Sequence, residues 1–193
     1  MPSDLVIITG SAGQIGFKVL ADTLKLAVKG TVGILESVNK TTGIKRVVIT
    51  GSITSITPAA ALMNETDQVI DENTEAEPVP SPAHYAVAYW NSKIASYQAT
   101  KDFIAKEKPA FDVITLMPTF VIGKNELVMD PNKITDGSNG LPFRQIFGVD
   151  SPPSVGVTVH LDDVSKAHVL SLDPKVSGNT NYLLSSGAVD GII

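Results

Sequence analysis

The chain has 193 residues, enough for one domain with a substantial core. Hydrophobic residues make up 43% and the net charge is -5, which fits a folded globular chain and argues against nucleic acid or an anionic membrane surface as partner, since both need a basic patch. The absence of cysteine excludes disulfides, a thiolate nucleophile and thiolate-ligated metal, and no run approaches the roughly 20 apolar residues of a membrane span.

The opening MPSDLVIITG has no basic region and only a short apolar run. It reads as a buried strand and not as a signal peptide, so a soluble cytosolic chain is expected. Residues 5–8 are that strand. Gly10, Gly13 and Gly16 follow, then an apolar-periodic stretch with Ile15, Val19 and Leu24. The pattern is strand, tight turn, helix. A second helical pattern covers residues 26–39, with Val28, Val32, Leu35 and Val38 on one face. Nothing between Lys25 and Leu26 looks like a turn. Thr41, Thr42 and Gly43 then break the pattern, and Arg46–Thr50 is a second buried strand.

Residues 64–84 are acidic and proline-rich and read as a solvated surface loop. Residues 85–106 are helical. A third buried strand, residues 112–117, is stopped by Pro118. An irregular stretch rich in Gly, Pro and Asn runs to about Ser154, followed by a strand at 155–160. Asp162 then reads as the N-cap of a helix through Leu172, and residues 182–184 as a last strand. Strands alternating with helices predict an α/β fold, a parallel sheet wound on both faces, in a single domain over 1–193.

Three features carry chemistry. Gly10, Ser11, Gly13, Gln14, Ile15 and Gly16 lie directly after a strand and open a helix. Glycine lets the chain turn sharply and lets backbone approach a pyrophosphate, while the helix N-terminus offers free N–H groups and partial positive charge. Tyr89 and Lys93 lie four apart, on one helix face. A free phenol, with a pKa of about 10, is a poor proton exchanger at neutral pH, and a neighbouring ammonium favours the phenolate. Such a phenol can protonate a carbonyl oxygen as hydride reaches the carbon. Tyr97 and Lys101 form a second pair of the same spacing, but only Tyr89 and Lys93 are completed by Ser92 into Tyr-x-x-Ser-Lys. Tyr97 and Lys101 are therefore read as a half-buried aromatic and a surface lysine. Ser52 follows the strand Arg46–Thr50, at the end where ligands sit in open parallel sheets. Its hydroxyl could hold the developing charge on the same oxygen, with Thr54 and Ser55 as the neighbouring alternatives.

ITGSAGQIG, AVKGTVGILESVNKTTGIKRVVITGS and YWNSK together resemble the extended short-chain dehydrogenases/reductases, of the dihydroflavonol and cinnamoyl-CoA reductase group and its fungal ketone and aldehyde reductases. LMPTFVIG and VHLDDVSKAHVLSL are similar to later landmarks of that family. The resemblance implies a Rossmann-like sheet, shortened relative to the family, with a partial substrate region from about residue 119 to 193. It implies NADPH-dependent reduction of a small-molecule ketone or aldehyde, with NAD as the other candidate cofactor and no metal. Ser52, Tyr89 and Lys93 would be the catalytic trio. Tyr89 and Lys93 would also be cofactor-binding residues, Lys93 by bonding the nicotinamide ribose, and Pro118 would flank the nicotinamide.

The sequence departs from the family in three ways. Lys25 runs straight into the helix that begins at Leu26, so that at about 30 residues per βαβ repeat roughly 60–90 residues are absent, including the residue that reads the ribose. The chain stops at Ile193, where family members continue. Gly51 stands where many members carry a hydroxyl residue. Two other readings stay open: a shortened, non-enzymatic member of the family, and an NAD-dependent sugar-nucleotide epimerase. Dehydration is disfavoured because Ile53 and Thr54, not an acidic pair, follow Ser52. His84, His160 and His168 are widely spaced and suggest no metal site. Trp90 reads equally as a packing or a substrate residue.

Overall fold

The computed structural model describes residues 8–9, 20–58, 61, 68–79, 85–126, 128–135, 137–148 and 157–186. The elements in order are β1 (Ile8–Thr9), α1 (Leu20–Asn39), β2 (Arg46–Thr50), α2 (Tyr85–Glu107), β3 (Asp112–Pro118), β4 (Phe120–Ile122), α3 (Gly140–Ile146), β5 (Thr158–His160), α4 (Leu161–Leu170) and β6 (Thr180–Leu184). Four strands form one parallel sheet in the order β1-β2-β3-β6, and β4 pairs with β5 in a smaller parallel ladder. Among the described residues no helix is long and apolar enough to cross a membrane.

Alternation along the strands sends side chains to opposite faces, and both faces are covered. On one face Val47 and Val113 pack with Leu35 and Val38 of α1 and Phe103 of α2. On the other, Val48, Ile114 and Leu116 meet Ala167 of α4 together with Tyr182 and Leu184 of β6. The fold is a Rossmann-like α/β sheet wound on both sides, as the alternation predicts.

Four local expectations are corrected. Residues 20–39, on both sides of Lys25, are one continuous helix of 20 residues. No Pro and no turn interrupts them, so one i→i−4 ladder carries through, and β1 pairs in parallel with β2. Strand β3 does not stop before Pro118 but includes it, registered against Leu184. The missing N–H is tolerated at the last ladder position, where Thr119 N–H takes over by donating to the Leu184 carbonyl at 2.9 Å. The stretch after Pro118 is not irregular throughout, since β4 and α3 lie within it. The N-cap of α4 is His160, whose Nδ1 accepts from Asp162 N–H at 3.2 Å, so Asp162 sits in the first turn.

The acidic loop is tied down, at least over residues 68–79. Asn91 on α2 clasps Val79 on both backbone groups, accepting from its N–H at 3.0 Å and donating to its carbonyl at 2.9 Å. Lys101 pairs with Glu75 at 2.9 Å. Glu72 accepts from the Leu183 N–H through its carboxylate, at 3.1 Å. Glu72, whose backbone carbonyl also accepts from Asn181 Nδ2, thus covers part of the open edge of β6, where unpaired backbone groups would otherwise invite another strand.

At the opposite end of the sheet Arg46 is a staple. Its guanidinium donates to both oxygens of Asp112, at 2.7 and 2.9 Å, and to the carbonyls of Ser171, Asp173 and Val176. These bonds hold the chain after α4 against the first turns of β2 and β3.

Candidate active site

Thr50 is in register with Leu116, so Ser52 and Pro118, each two residues further on, lie at the same C-terminal edge of the sheet. Gly51 continues the ladder, its N–H donating to the Leu116 carbonyl at 2.7 Å. A side chain has no room there: a Cβ would lie 2.9 Å from Thr115 Cγ2 and 3.3 Å from the Leu116 carbonyl oxygen.

Ser52 is extended and caps a short 3-10 turn, Ile53–Ser55. Its Oγ accepts from Thr54 N–H at 3.3 Å and from Thr54 Oγ1 at 2.9 Å. The adjacent alternatives fall away by position. Ser55 is buried, and Thr54 addresses Ser52 itself.

Helix α2 brings Tyr89 to Ser52. Tyr89 is 44% exposed, so a small molecule can reach it, yet the protein around its phenol pushes its pKa above the ordinary tyrosine value. A hydrogen bond from Ser52 opposes that rise. One turn on, Lys93 is 8% exposed, with Nζ 5.4 Å from the centre of the Tyr89 ring. Burial lowers its pKa from 10.5 to about 8. The phenol is raised and not depressed as expected, because desolvation dominates both groups.

Ser92, which distinguished this pair in the sequence, is buried and donates to the Tyr89 carbonyl at 2.6 Å. It braces the helix under Tyr89 and is turned away from chemistry. Trp90 is half-buried, and its Nε1 is buried with no hydrogen-bond partner among the described residues. Tyr97 and Lys101 repeat the stacking, with Nζ 5.1 Å from the ring centre, but Lys101 is committed to Glu75. The trio Ser52, Tyr89 and Lys93 is thus brought together, with Pro118 at the same sheet edge. Gly10, Ser11, Gly13, Gln14, Ile15 and Gly16 lie outside the described residues, as does His84.

His168 contributes something the sequence did not signal. Its Nδ1 lies 2.8 Å from the Val164 carbonyl, and its Nε2 lies 2.8 Å from Thr50 Oγ1. A carbonyl can only accept, so Nδ1 carries a proton, and in the neutral ring Nε2 accepts from Thr50. The bond ties α4 to the last residue of β2, two positions before Ser52. Helical spacing alone could not reveal it, because the partners are far apart in sequence.

A hydroxyl, a phenol and a buried ammonium at the C-terminal edge of a doubly wound parallel sheet define a Rossmann-like site of the short-chain dehydrogenase/reductase kind. The comparisons agree. Residues 4–139 match the NAD dependent epimerase/dehydratase family, and the chain belongs to it. Ketoreductase CTB6 of Cercospora beticola is 37% identical over 174 residues, covering 88% of this chain and 49% of that protein. NAD-dependent epimerase/dehydratase ALT6 of Alternaria alternata is 35% identical over 153 residues, covering 76% and 43%. The chain thus spans about half the length of the curated relatives it matches. Among solved structures, Gre2 of Candida albicans in complex with NADPH superposes with a TM-score of 0.80 at 27% identity, covering 94% of this chain and 56% of that one.

Proposed function

We propose that the protein is an NADPH-dependent reductase of a small ketone or aldehyde, with Tyr89 as proton donor. The observation that carries this reading is the convergence of Ser52, Tyr89 and Lys93, with the turn that Ser52 caps packed against α2 and Lys93 Nζ 5.4 Å from the centre of the Tyr89 ring. Similarity to a named ketoreductase and to a reductase solved with NADPH supports it.

The site's residues suit a nicotinamide cofactor. Lys93 is a buried ammonium that meets no carboxylate among the described residues, a charge best matched by a ligand bringing ribose hydroxyls. Gly10, Gly13 and Gly16 would cradle the pyrophosphate. The cofactor, when bound, supplies a hydride to the carbonyl carbon. Ser52 donates a hydrogen bond to the carbonyl oxygen and holds the charge that develops there. Tyr89 transfers its hydroxyl proton to that oxygen, so that carbonyl plus hydride plus proton gives the alcohol. Lys93 stabilises the phenolate left behind. A raised phenol pKa keeps Tyr89 protonated at neutral pH, as a donor must be.

The test is direct binding of NADPH and NADH to the chain, followed by turnover of a panel of ketones and aldehydes. NADPH is expected to bind, and Tyr89→Phe to keep that binding while losing turnover by about 10²–10⁴-fold. Equal turnover by the Phe variant would overturn the reading.

A further inference from the structure

We propose that Thr54 is a positioning residue for Ser52: its hydroxyl and its backbone N–H both donate to Ser52 Oγ, which leaves the single Ser52 proton free to point at the oxygen that Tyr89 protonates. This rests on the reductase reading for its catalytic consequence, but the hydrogen-bond chain is a property of the protein alone.

The geometry commits the atoms. A serine hydroxyl has one proton and two lone pairs. Thr54 Oγ1 at 2.9 Å and Thr54 N at 3.3 Å fill the two acceptor positions of Ser52 Oγ. The φ of -162° and ψ of 151° at Ser52 are those of a turn cap, and the 3-10 turn Ile53–Ser55 places Thr54 two residues on, where both its groups reach back. The Ser52 proton is then free to point away from Thr54, on the side where α2 packs against the turn. Thr54 Oγ1 takes part in no other hydrogen bond among the described residues, so its proton has no competing acceptor there. The result is a relay, Thr54 O–H to Ser52 O–H to phenolic or carbonyl oxygen. Each bond polarises the next, and the chain strengthens as negative charge grows at its end.

The same placement answers why Ile53-Thr54 follows Ser52 and an acidic pair does not. A carboxylate at position 54 would accept from Ser52 and turn its proton inward. Thr54 is the opposite choice, a donor at that place. Val would preserve its shape and lose only the hydroxyl.

The test compares Thr54→Val and Thr54→Ser, each checked for the native circular dichroism spectrum. The readout is Tyr89 ionisation, measured as phenolate absorbance and isolated by subtracting the Tyr89→Phe variant. In Thr54→Val the Tyr89 midpoint is expected to rise by about half a pH unit, because Ser52 no longer donates steadily to the phenolate. Thr54→Ser is expected to restore it. In turnover, Thr54→Val is expected to lower kcat about tenfold with KM for NADPH within about twofold, and Thr54→Ser to recover most of it. A Tyr89 midpoint unmoved in a folded Thr54→Val protein overturns the proposal. Because that titration needs neither cofactor nor substrate, it decides the matter even if no carbonyl is reduced, which would overturn the reductase reading instead.

Discussion

The Lys93 ammonium sits over the face of the Tyr89 ring, 5.4 Å from its centre, in a site where Lys93 is almost wholly buried. Its pKa there is about 8 against 10.5 in water. The charged form is therefore disfavoured in the folded state, and the unfolded chain binds more protons between those values. Stability rises with pH across the window from about 8 to 10.5, and below it the buried charge costs the fold about 3 kcal/mol. Lys93→Met is expected to be more stable than the parent at neutral pH by up to that amount. The gain should shrink as pH passes through about 8 and vanish near 10.5. Urea unfolding of both proteins across this range measures it; a variant less stable at every pH would contradict it.

The same titration sets a limit on activity. If the ammonium is needed to stabilise the Tyr89 phenolate, carbonyl reduction should be flat below pH of about 8 and fall above it, as Lys93 loses its proton. Tyr89 itself cannot cause that break, because burial raises its pKa. Lys93→Arg, which keeps its charge throughout, is expected to move the break upward. A profile that breaks at the same pH in both proteins would assign it to another group.

That Ser52, Tyr89 and Lys93 come together was legible because Tyr89 and Lys93 lie one helical turn apart and the strand before Ser52 is a plain apolar run. The sheet was legible for the same reason: Val47, Val48, Val113 and Ile114 are buried strand residues whatever surrounds them. What escaped depends on contacts distant in sequence. His168 finds Thr50, Asn91 finds Val79, and Arg46 finds three carbonyls beyond α4. No local pattern encodes these. The N-cap of α4 was misplaced because Asp is the common capping residue, while the cap used here is an imidazole nitrogen.

Arg46 is the strongest of those hidden contacts. Its side chain is 13% exposed and that of Asp112 30% exposed, so the pair is partly shielded, and three carbonyls depend on the same guanidinium. Asp112 and its neighbours raise the Arg46 pKa, first through the hydrogen bond, so the charge is permanent. Arg46→Ala leaves Asp112 and those acceptors without their donor. A loss of about 2–4 kcal/mol is expected from urea unfolding, with amide exchange rising first around residues 171–176. Arg46→Lys should recover little, since a point charge cannot serve the carboxylate and the carbonyls together. Uniform exchange throughout the chain would show that the staple is not local.

Gly51 joins stability to the site. Replacing it by Ser adds a Cβ 2.9 Å from Thr115 Cγ2 and 3.3 Å from the Leu116 carbonyl oxygen, and neither neighbour moves easily. Thr115 is β-branched and buried, and Leu116 is central in β3. The expected loss is about 1–3 kcal/mol, and because the strain is relieved by pushing the chain outward, Ser52 should drift from Tyr89. Turnover should then fall with NADPH binding preserved. Thr115→Ser removes the clashing methyl, so in combination with Gly51→Ser the two losses should sum to less than their separate values, a coupling of about 1 kcal/mol. Additive losses would mean that the carbonyl of Leu116, not Thr115, sets the limit, and that glycine is required here by the backbone alone.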